Sequence, residues 1–245
     1  MKDYEKSDLN IKQYVSGDGS NTLFNSLYQE SYHSLKDGAV RETMQKHVLP
    51  PIQCLNLLSR SRIRILDICF GLGYNSFFTL YQYLKMAYPG KIEIYSPEKD
   101  LSLIQKLLQM SYPAEIEILD GERIENILTA LQQDGKFEKN LWKIECFWGD
   151  ALDYLQSFDD HFFDLVYQDA FSPDKNPDLW SDEYFLKLSR ILKEDGTITT
   201  YSQKGIVRDR LKRLGFYVYE IKHKEIRNSR IFSRQEFDLP FLIRK

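Results

Sequence analysis

The chain predicts an α/β fold: a doubly wound, Rossmann-like sheet that is mostly parallel. Three observations carry that expectation. Strand and helix signals alternate from residue 63 to residue 221, the pattern of a sheet covered on both faces. Ile65-Leu66-Asp67-Ile68-Cys69-Phe70-Gly71-Leu72-Gly73 is an apolar strand running through an acid into a glycine turn. Tyr167-Gln168-Asp169-Ala170-Phe171-Ser172-Pro173 ends a second apolar strand in an acid, an aromatic and a proline. On one sheet both ends face the crevice at the strands' carboxyl edge, where open α/β sheets bind ligands.

The elements read in order as follows. Residues 1–40 are rich in turn residues, Gly17-Asp18-Gly19-Ser20-Asn21 and Asp37-Gly38 among them, and Leu23–Leu35 mixes aromatic and polar side chains. Thr43–Leu58 has a helical apolar pattern interrupted by Pro50-Pro51. Residues 1–60 are therefore expected to cap a core domain of residues 61–245. In that core Ile63–Ile68, Ile92–Ser96, Ile144–Trp148, Phe162–Tyr167, Thr197–Tyr201 and Phe216–Ile221 read as strands. Asn75–Ala87, Ser102–Met110, a turn from Ala151, Asp182–Leu192 and Ile206–Leu214 read as helices. Glu194-Asp195-Gly196 reads as a C-cap, Gly215 closes the next helix, and residues 113–141 read as an inserted helical stretch. Phe162–Tyr167 is continuously apolar, as a strand covered on both faces must be.

Composition narrows the function classes. With 42% hydrophobic and 28% charged residues, the 245-residue chain is an ordinary globular protein. No apolar run approaches the ~20 residues of a membrane span, and the polar Met1–Asn10 stretch does not read as a signal peptide. Three scattered cysteines form no disulfide framework, which suits the cytoplasm. Four histidines show no metal-ligand spacing, so no metal is expected. The net charge of −3 is uneven: residues 203–245 carry 12 Lys/Arg against 5 Asp/Glu. A basic end on an acidic body is either a nucleic-acid footprint or a solvated face.

The chemistry is read from strand ends. The turn at Gly71 and Gly73 lets backbone approach a ligand closely, with Cys69 where a three-glycine fingerprint has its first glycine. Glu98, 25 residues after Gly73, stands where an acid accepts ribose hydroxyls, or is a solvated Glu beside Lys99. Asp150 is placed to accept an exocyclic amine, to cap a helix, or both. Asp169 is the catalytic candidate. With the carbonyls of the stiff chain around Pro173 and Asn176-Pro177, it would form an acceptor cage for an amine that must lose a proton before attack. Tyr28 to His33 reads as a lid, with His33 either a proton relay or a packed histidine.

At these residues the chain resembles a known family. It is similar to the methyltransferase domain of the tRNA 5-methylaminomethyl-2-thiouridine biosynthesis proteins, the MnmC-like family, from about Gly17 to Gly215. The matching stretches include Gly17–Leu23, Tyr32-His33-Ser34, Gly38-Ala39, Asp67–Asn75, Glu98-Lys99, Gly149-Asp150-Ala151 and Val207-Arg208. The most specific is Asp169-Ala170-Phe171-Ser172-Pro173-Asp174-Lys175-Asn176-Pro177-Asp178-Leu179-Trp180.

The resemblance implies a class I S-adenosylmethionine-dependent methyltransferase with an antiparallel last strand. It would act on the 5-aminomethyl group of the tRNA wobble uridine. It implies cofactor contacts at Asp67, Gly71, Gly73, Asn75, Glu98, Lys99, Asp150 and Ala151, with Tyr32 as a cover. Asp169, Phe171 and Pro173 would meet the acceptor. Lys204, Arg208, Arg227 and Arg230 are the candidates for tRNA phosphates. Bifunctional members also carry a flavin-dependent oxidase domain, for which 245 residues are too few. A stand-alone methyltransferase is therefore expected, with a separate enzyme supplying the aminomethyl precursor. Arg227–Gln235 departs from the tighter basic hairpin expected there. The alternatives are a spermidine-synthase-like aminopropyltransferase and a non-catalytic RNA-binding module.

Overall fold

The computed structural model describes residues 12–245; the Met1–Asn10 reading lies outside them. An antiparallel sheet of β1 (Lys12–Val15), β2 (Asn21–Asn25) and β3 (Glu30–Ser31) comes first. The main sheet contains β4 (Arg62–Ile68) and β5 (Lys91–Glu98). A two-stranded ribbon, β6 (Ile118–Leu119) and β7 (Glu122–Arg123), stands apart. The main sheet continues with β8 (Lys136–Lys139), β9 (Trp142–Trp148), β10 (Phe163–Gln168) and β11 (Leu192–Thr200). It ends with β12 (Tyr217–Ile221), β13 (Ser229–Ser233) and β14 (Leu242–Arg244).

Its order is β14-β12-β13-β11-β10-β4-β5-β9-β8. Strands β11, β10, β4, β5 and β9 are mutually parallel, and β13 runs antiparallel between β11 and β12. The order reverses between β4 and β10, so the crevice opens there. Alternation along β4 explains why both faces are covered. Ile63 and Ile65 join the core under helices Tyr74–Lys85 and Ile124–Asp134, while Leu66 and Ile68 join the core under Asp182–Ile191 and Gly205–Arg213.

Four local expectations are corrected. Residues 113–141 hold strands as well as helix: left-handed Gly135 ends Ile124–Asp134, and β8 then pairs antiparallel with β9. The helix from Asp182 stops at Ile191, because Leu192 already has extended backbone and opens β11. Gly196 is not a cap. A Cβ there would lie 2.8 Å from the Asp164 carbonyl, so glycine permits the close approach to β10. Pro50 and Pro51 do not break the helical run from Ala39 to Cys54. A π-helical turn, Thr43–Val48, precedes them, and they fall in the first turn of Leu49–Cys54, where a missing N–H costs little. Arg227–Gln235, read as departing from the family's hairpin, contains β13, which is buried and pairs with both β11 and β12.

Candidate active site

The turn after β4 has three left-handed residues: Cys69, Gly71 and Gly73. At Cys69 (φ 68°) a side chain occupies backbone that glycine favours, a strain of about 1–2 kcal/mol. At Gly71 a Cβ would come within 3.3 Å of the Tyr32 ring. The Gly71 N–H donates to Glu98 Oε2 at 3.0 Å, and the Asp100 N–H donates to Oε1 at 2.9 Å. Burial raises the Glu98 carboxyl against these two donors. Asp150 caps the helix Ala151–Tyr154 through the Leu152 N–H at 2.9 Å, and Lys99 Nζ lies 3.2 Å from its other oxygen.

Asp169 follows β10 directly. Asn75 Nδ2 donates to its Oδ2 at 2.9 Å, and His47 Nε2 lies 3.3 Å from Oδ1. Burial pulls the Asp169 carboxyl upward, but His47, His33 and Asn75 outweigh it and hold it below the usual carboxylate range. Behind it, Asp67 is 0% exposed and accepts from Ser76 Oγ at 2.8 Å and Asn75 Nδ2 at 3.3 Å. Burial, with Asp169 close by, pushes Asp67 up to about 7.

The N-terminal sheet closes over this crevice. Tyr28 stacks on Phe171 with centroids 4.5 Å apart, and Tyr32 tilts against the same ring at 5.0 Å. Glu30 Oε2 accepts from the Ser172 N–H at 3.2 Å and its hydroxyl at 2.8 Å. The open cavity beneath this sheet is about 1720 Å³, larger than a typical single-ligand pocket. Glu98, Asp150, Asp169 and Phe171 all line it.

Several expected site residues fall elsewhere. Tyr32, Gly71, Asn75, Lys99 and Ala151 line the cavity, whereas Asp67, Gly73 and Pro173 do not. Asp67 is walled off by Asn75 and Ser76; at Gly73 a Cβ would collide with Phe77 at 2.5 Å, a packing constraint. The carbonyls after Asp169 are not left open. Ala170 O accepts from Tyr201 OH, Phe171 O from Trp180 Nε1, and Ser172 O from the Lys175 and Asn176 N–H groups. Three of the carbonyls that follow Asp169 are thus already engaged, while Asn176 and Pro177 line the cavity.

The basic candidates also separate. Arg230 is 6% exposed and its guanidinium donates to the carbonyls of Ser202, Gln203 and Lys204, so it cannot face phosphates. Lys204 pairs with Asp174, and Arg208 with Asp209. Arg227 lines the cavity with its side chain 74% exposed, its N–H and Nε each 3.3 Å from Asp37 Oδ2. His33 stands at the cavity wall, 4.0 Å from Glu42 and edge-on to Tyr74. His47 escaped sequence reading. The signal was a stripe of Ala39, Thr43 and His47, four residues apart and all buried.

Bare backbone at Gly71, where φ disfavours a side chain and a Cβ would crowd Tyr32, and the Glu98 carboxylate fit a nucleoside-bearing cofactor. Residues 116–231 match a family described as S-adenosyl-L-methionine-dependent methyltransferase. Fold and site together define a class I S-adenosylmethionine-dependent methyltransferase. The structure of MnmC2 from Aquifex aeolicus is similar with a TM-score of 0.77 and 30% identity, covering 97% of this chain and 74% of that one. The chain belongs to the MnmC-like methyltransferase family.

It is 27% identical over 212 residues to the tRNA 5-methylaminomethyl-2-thiouridine biosynthesis bifunctional protein MnmC of Campylobacter fetus, covering 84% of this chain and 32% of that protein. An uncharacterised protein of Methanocaldococcus jannaschii is 29% identical over 83% of this chain and 53% of its own length. The chain thus spans about a third to a half of these curated relatives. A probable spermidine synthase from Corynebacterium glutamicum shares the fold at 14% identity and a TM-score of 0.52. Among the described residues no helix is long and apolar enough to cross a membrane, and no group of three His, Cys, Asp or Glu could hold a metal ion.

Proposed function

We propose that this methyltransferase acts on tRNA, methylating the 5-aminomethyl group of the wobble uridine in the cytoplasm. The single observation that carries the reading is the Asp169 carboxylate. It is held ionised at the wall of a cavity that Gly71 and Glu98 also line. When bound, S-adenosylmethionine supplies an activated methyl on a sulfonium. Gly71, Asn75, Glu98, Lys99, Asp150 and Ala151 would bind the cofactor, and Tyr32 would cover it.

Asp169 would orient the acceptor amine and take the proton that an ammonium must lose before its nitrogen has a lone pair. Alignment of this kind is worth roughly 7–11 kcal/mol. Phe171, stacked on Tyr28, offers an aromatic face to the uridine. Residues up to 60 would act as the capping and substrate-facing segment of the domain, and Arg227 would meet phosphate at the rim. The names of the MnmC relatives support tRNA, and an enzyme exposing the aminomethyl group would act first. Lys175 on the cavity wall disfavours a polycationic acceptor, against an aminopropyltransferase.

The test is mass spectrometry of tRNA nucleosides after incubation with purified protein and S-adenosylmethionine. One added methyl on 5-aminomethyluridine is expected. Cofactor binding with no modified nucleoside would leave the RNA-binding alternative standing.

A further inference from the structure

The helical run Ala39–Cys54 reaches the reacting carboxylate twice. His47 Nε2 faces Asp169 Oδ1 at 3.3 Å. Thr43 Oγ1 donates to Asn75 Oδ1 at 3.0 Å, and Asn75 Nδ2 donates to Asp169 Oδ2 at 2.9 Å. Both carboxylate oxygens are thus reached from one element: Oδ1 directly by His47, and Oδ2 by Thr43 acting through Asn75. Such turns occur disproportionately at functional sites.

The protonation pattern of His47 follows from its partners. An ionised carboxylate only accepts, so Nε2 carries a hydrogen. The other ring nitrogen, Nδ1, lies 2.9 Å from Thr199 Oγ1 on β11. A hydroxyl both donates and accepts, so Thr199 satisfies Nδ1 whether the ring is neutral or charged. His47 is 1% exposed, and Tyr167 packs on it with centroids 5.7 Å apart. No water is needed to complete its bonds. The titratable groups that act on it are Asp169, Asp67 and His33.

We propose that His47 is a positioning residue for methyl transfer: oriented by Thr199, it holds Asp169 in the rotamer that faces the acceptor and keeps that carboxylate ionised. The proposal rests on the role given above to Asp169. The proton taken from the acceptor stays on Asp169 until it leaves to solvent; His47 holds the carboxylate and transfers no proton itself. An oxygen of Asp169 released from Nε2 would swing out of line, and misplacement at the ångström scale costs up to ~10²-fold in rate.

The experiment uses the full chain, three single variants and one double variant. His47→Phe keeps ring size and removes the donor, His47→Gln restores a donor, and Thr199→Val removes only the outer bond. Single-turnover methylation of tRNA should slow roughly 10–100-fold in His47→Phe with S-adenosylmethionine affinity unchanged. The acid limb of its pH profile should move to higher pH, because the carboxylate loses a donor. His47→Gln should recover most of the rate. Thr199→Val should slow the reaction alone yet change nothing further in the His47→Phe background.

A second readout needs no acceptor: carbon-13 NMR of the Asp169 carboxyl, whose titration midpoint should rise in His47→Phe. If that midpoint is unmoved and His47→Phe turns over at the wild-type rate, His47 only fills space and the proposal is overturned. If the midpoint rises but no wild-type tRNA methylation is seen, the tRNA reading fails while the His47–Asp169 coupling stands. Should His47→Phe not fold, Thr199→Val carries the same two readouts, with His47→Gln as the control that keeps a donor.

Discussion

Gly71 and Glu98 are joined by a hydrogen bond from the glycine N–H to Oε2 at 3.0 Å, which ties the turn after β4 to the end of β5. One carboxylate therefore shapes the glycine turn and lines the cavity. Glu98→Ala should weaken S-adenosylmethionine binding by about 1.5–3 kcal/mol, the cost of a lost charged hydrogen bond. It should also speed amide exchange at Gly71 and Asp100, whose N–H groups lose their acceptor. Calorimetry and hydrogen exchange measure the two effects. Faster exchange with wild-type affinity would confine Glu98 to holding the turn.

Asn75 joins the two acids at the switch point, donating to Asp67 and Asp169 from the same amide nitrogen. Asn75→Asp puts a third carboxylate between them. Like charges cannot share so small a buried space, so a proton is retained there at neutral pH. The variant should lose about 1–3 kcal/mol of stability and show an acid limb displaced upward. Denaturant melts and single-turnover rates against pH check this. A wild-type profile would show that Asp169 does not depend on its neighbour.

Asp67 sets a stability slope with a definite sign. Its folded carboxyl is pushed up to about 7 by burial, against an ordinary value of 3.8. The folded chain then binds more protons than the unfolded one in between, so this group's contribution is full below about pH 4 and is lost as pH rises to about 7. His33, held below its ordinary value of 6.5 by burial, has the opposite slope just under that pH. The clean readout is therefore wild type compared with Asp67→Asn. In melts at several pH values, the wild type should lose ground to the variant as pH climbs through this window. A constant difference would mean that Asp67 stays ionised.

Arg227 and Arg230, three residues apart, should fail in different ways. Arg227→Gln removes a charge at the cavity rim. It should weaken tRNA binding and reduce the log–log salt slope by about 0.7–0.9 for the one phosphate lost. Stability should change little. Arg230→Ala strips donors from three carbonyls and should cost about 1.5–3 kcal/mol of stability, with the salt slope unaltered. Filter binding at several salt concentrations and thermal melts separate the pair. An unaltered slope in Arg227→Gln would mean the acceptor strand passes elsewhere.

The sequence by itself determined the covered sheet and the acids at its strand ends. Ile63–Ile68 and Phe163–Tyr167 carry the required pattern within a few residues, and a carboxylate after a parallel strand falls at the crevice whatever surrounds it. Glu98, Asp150 and Asp169 were legible for that reason. What only the tertiary structure decided is how those acids are held. His47 meets Thr199 across 152 positions, and Asn75 meets Asp169 across 94. Nothing in the period of the helix Ala39–Cys54 names those partners. The same holds for Arg230. Its strand looked like an exposed basic end, but pairing of β13 between β11 and β12 buries it, where its guanidinium must find carbonyls. Local chain chemistry specifies what each residue offers; long-range packing specifies which oxygen or donor receives it.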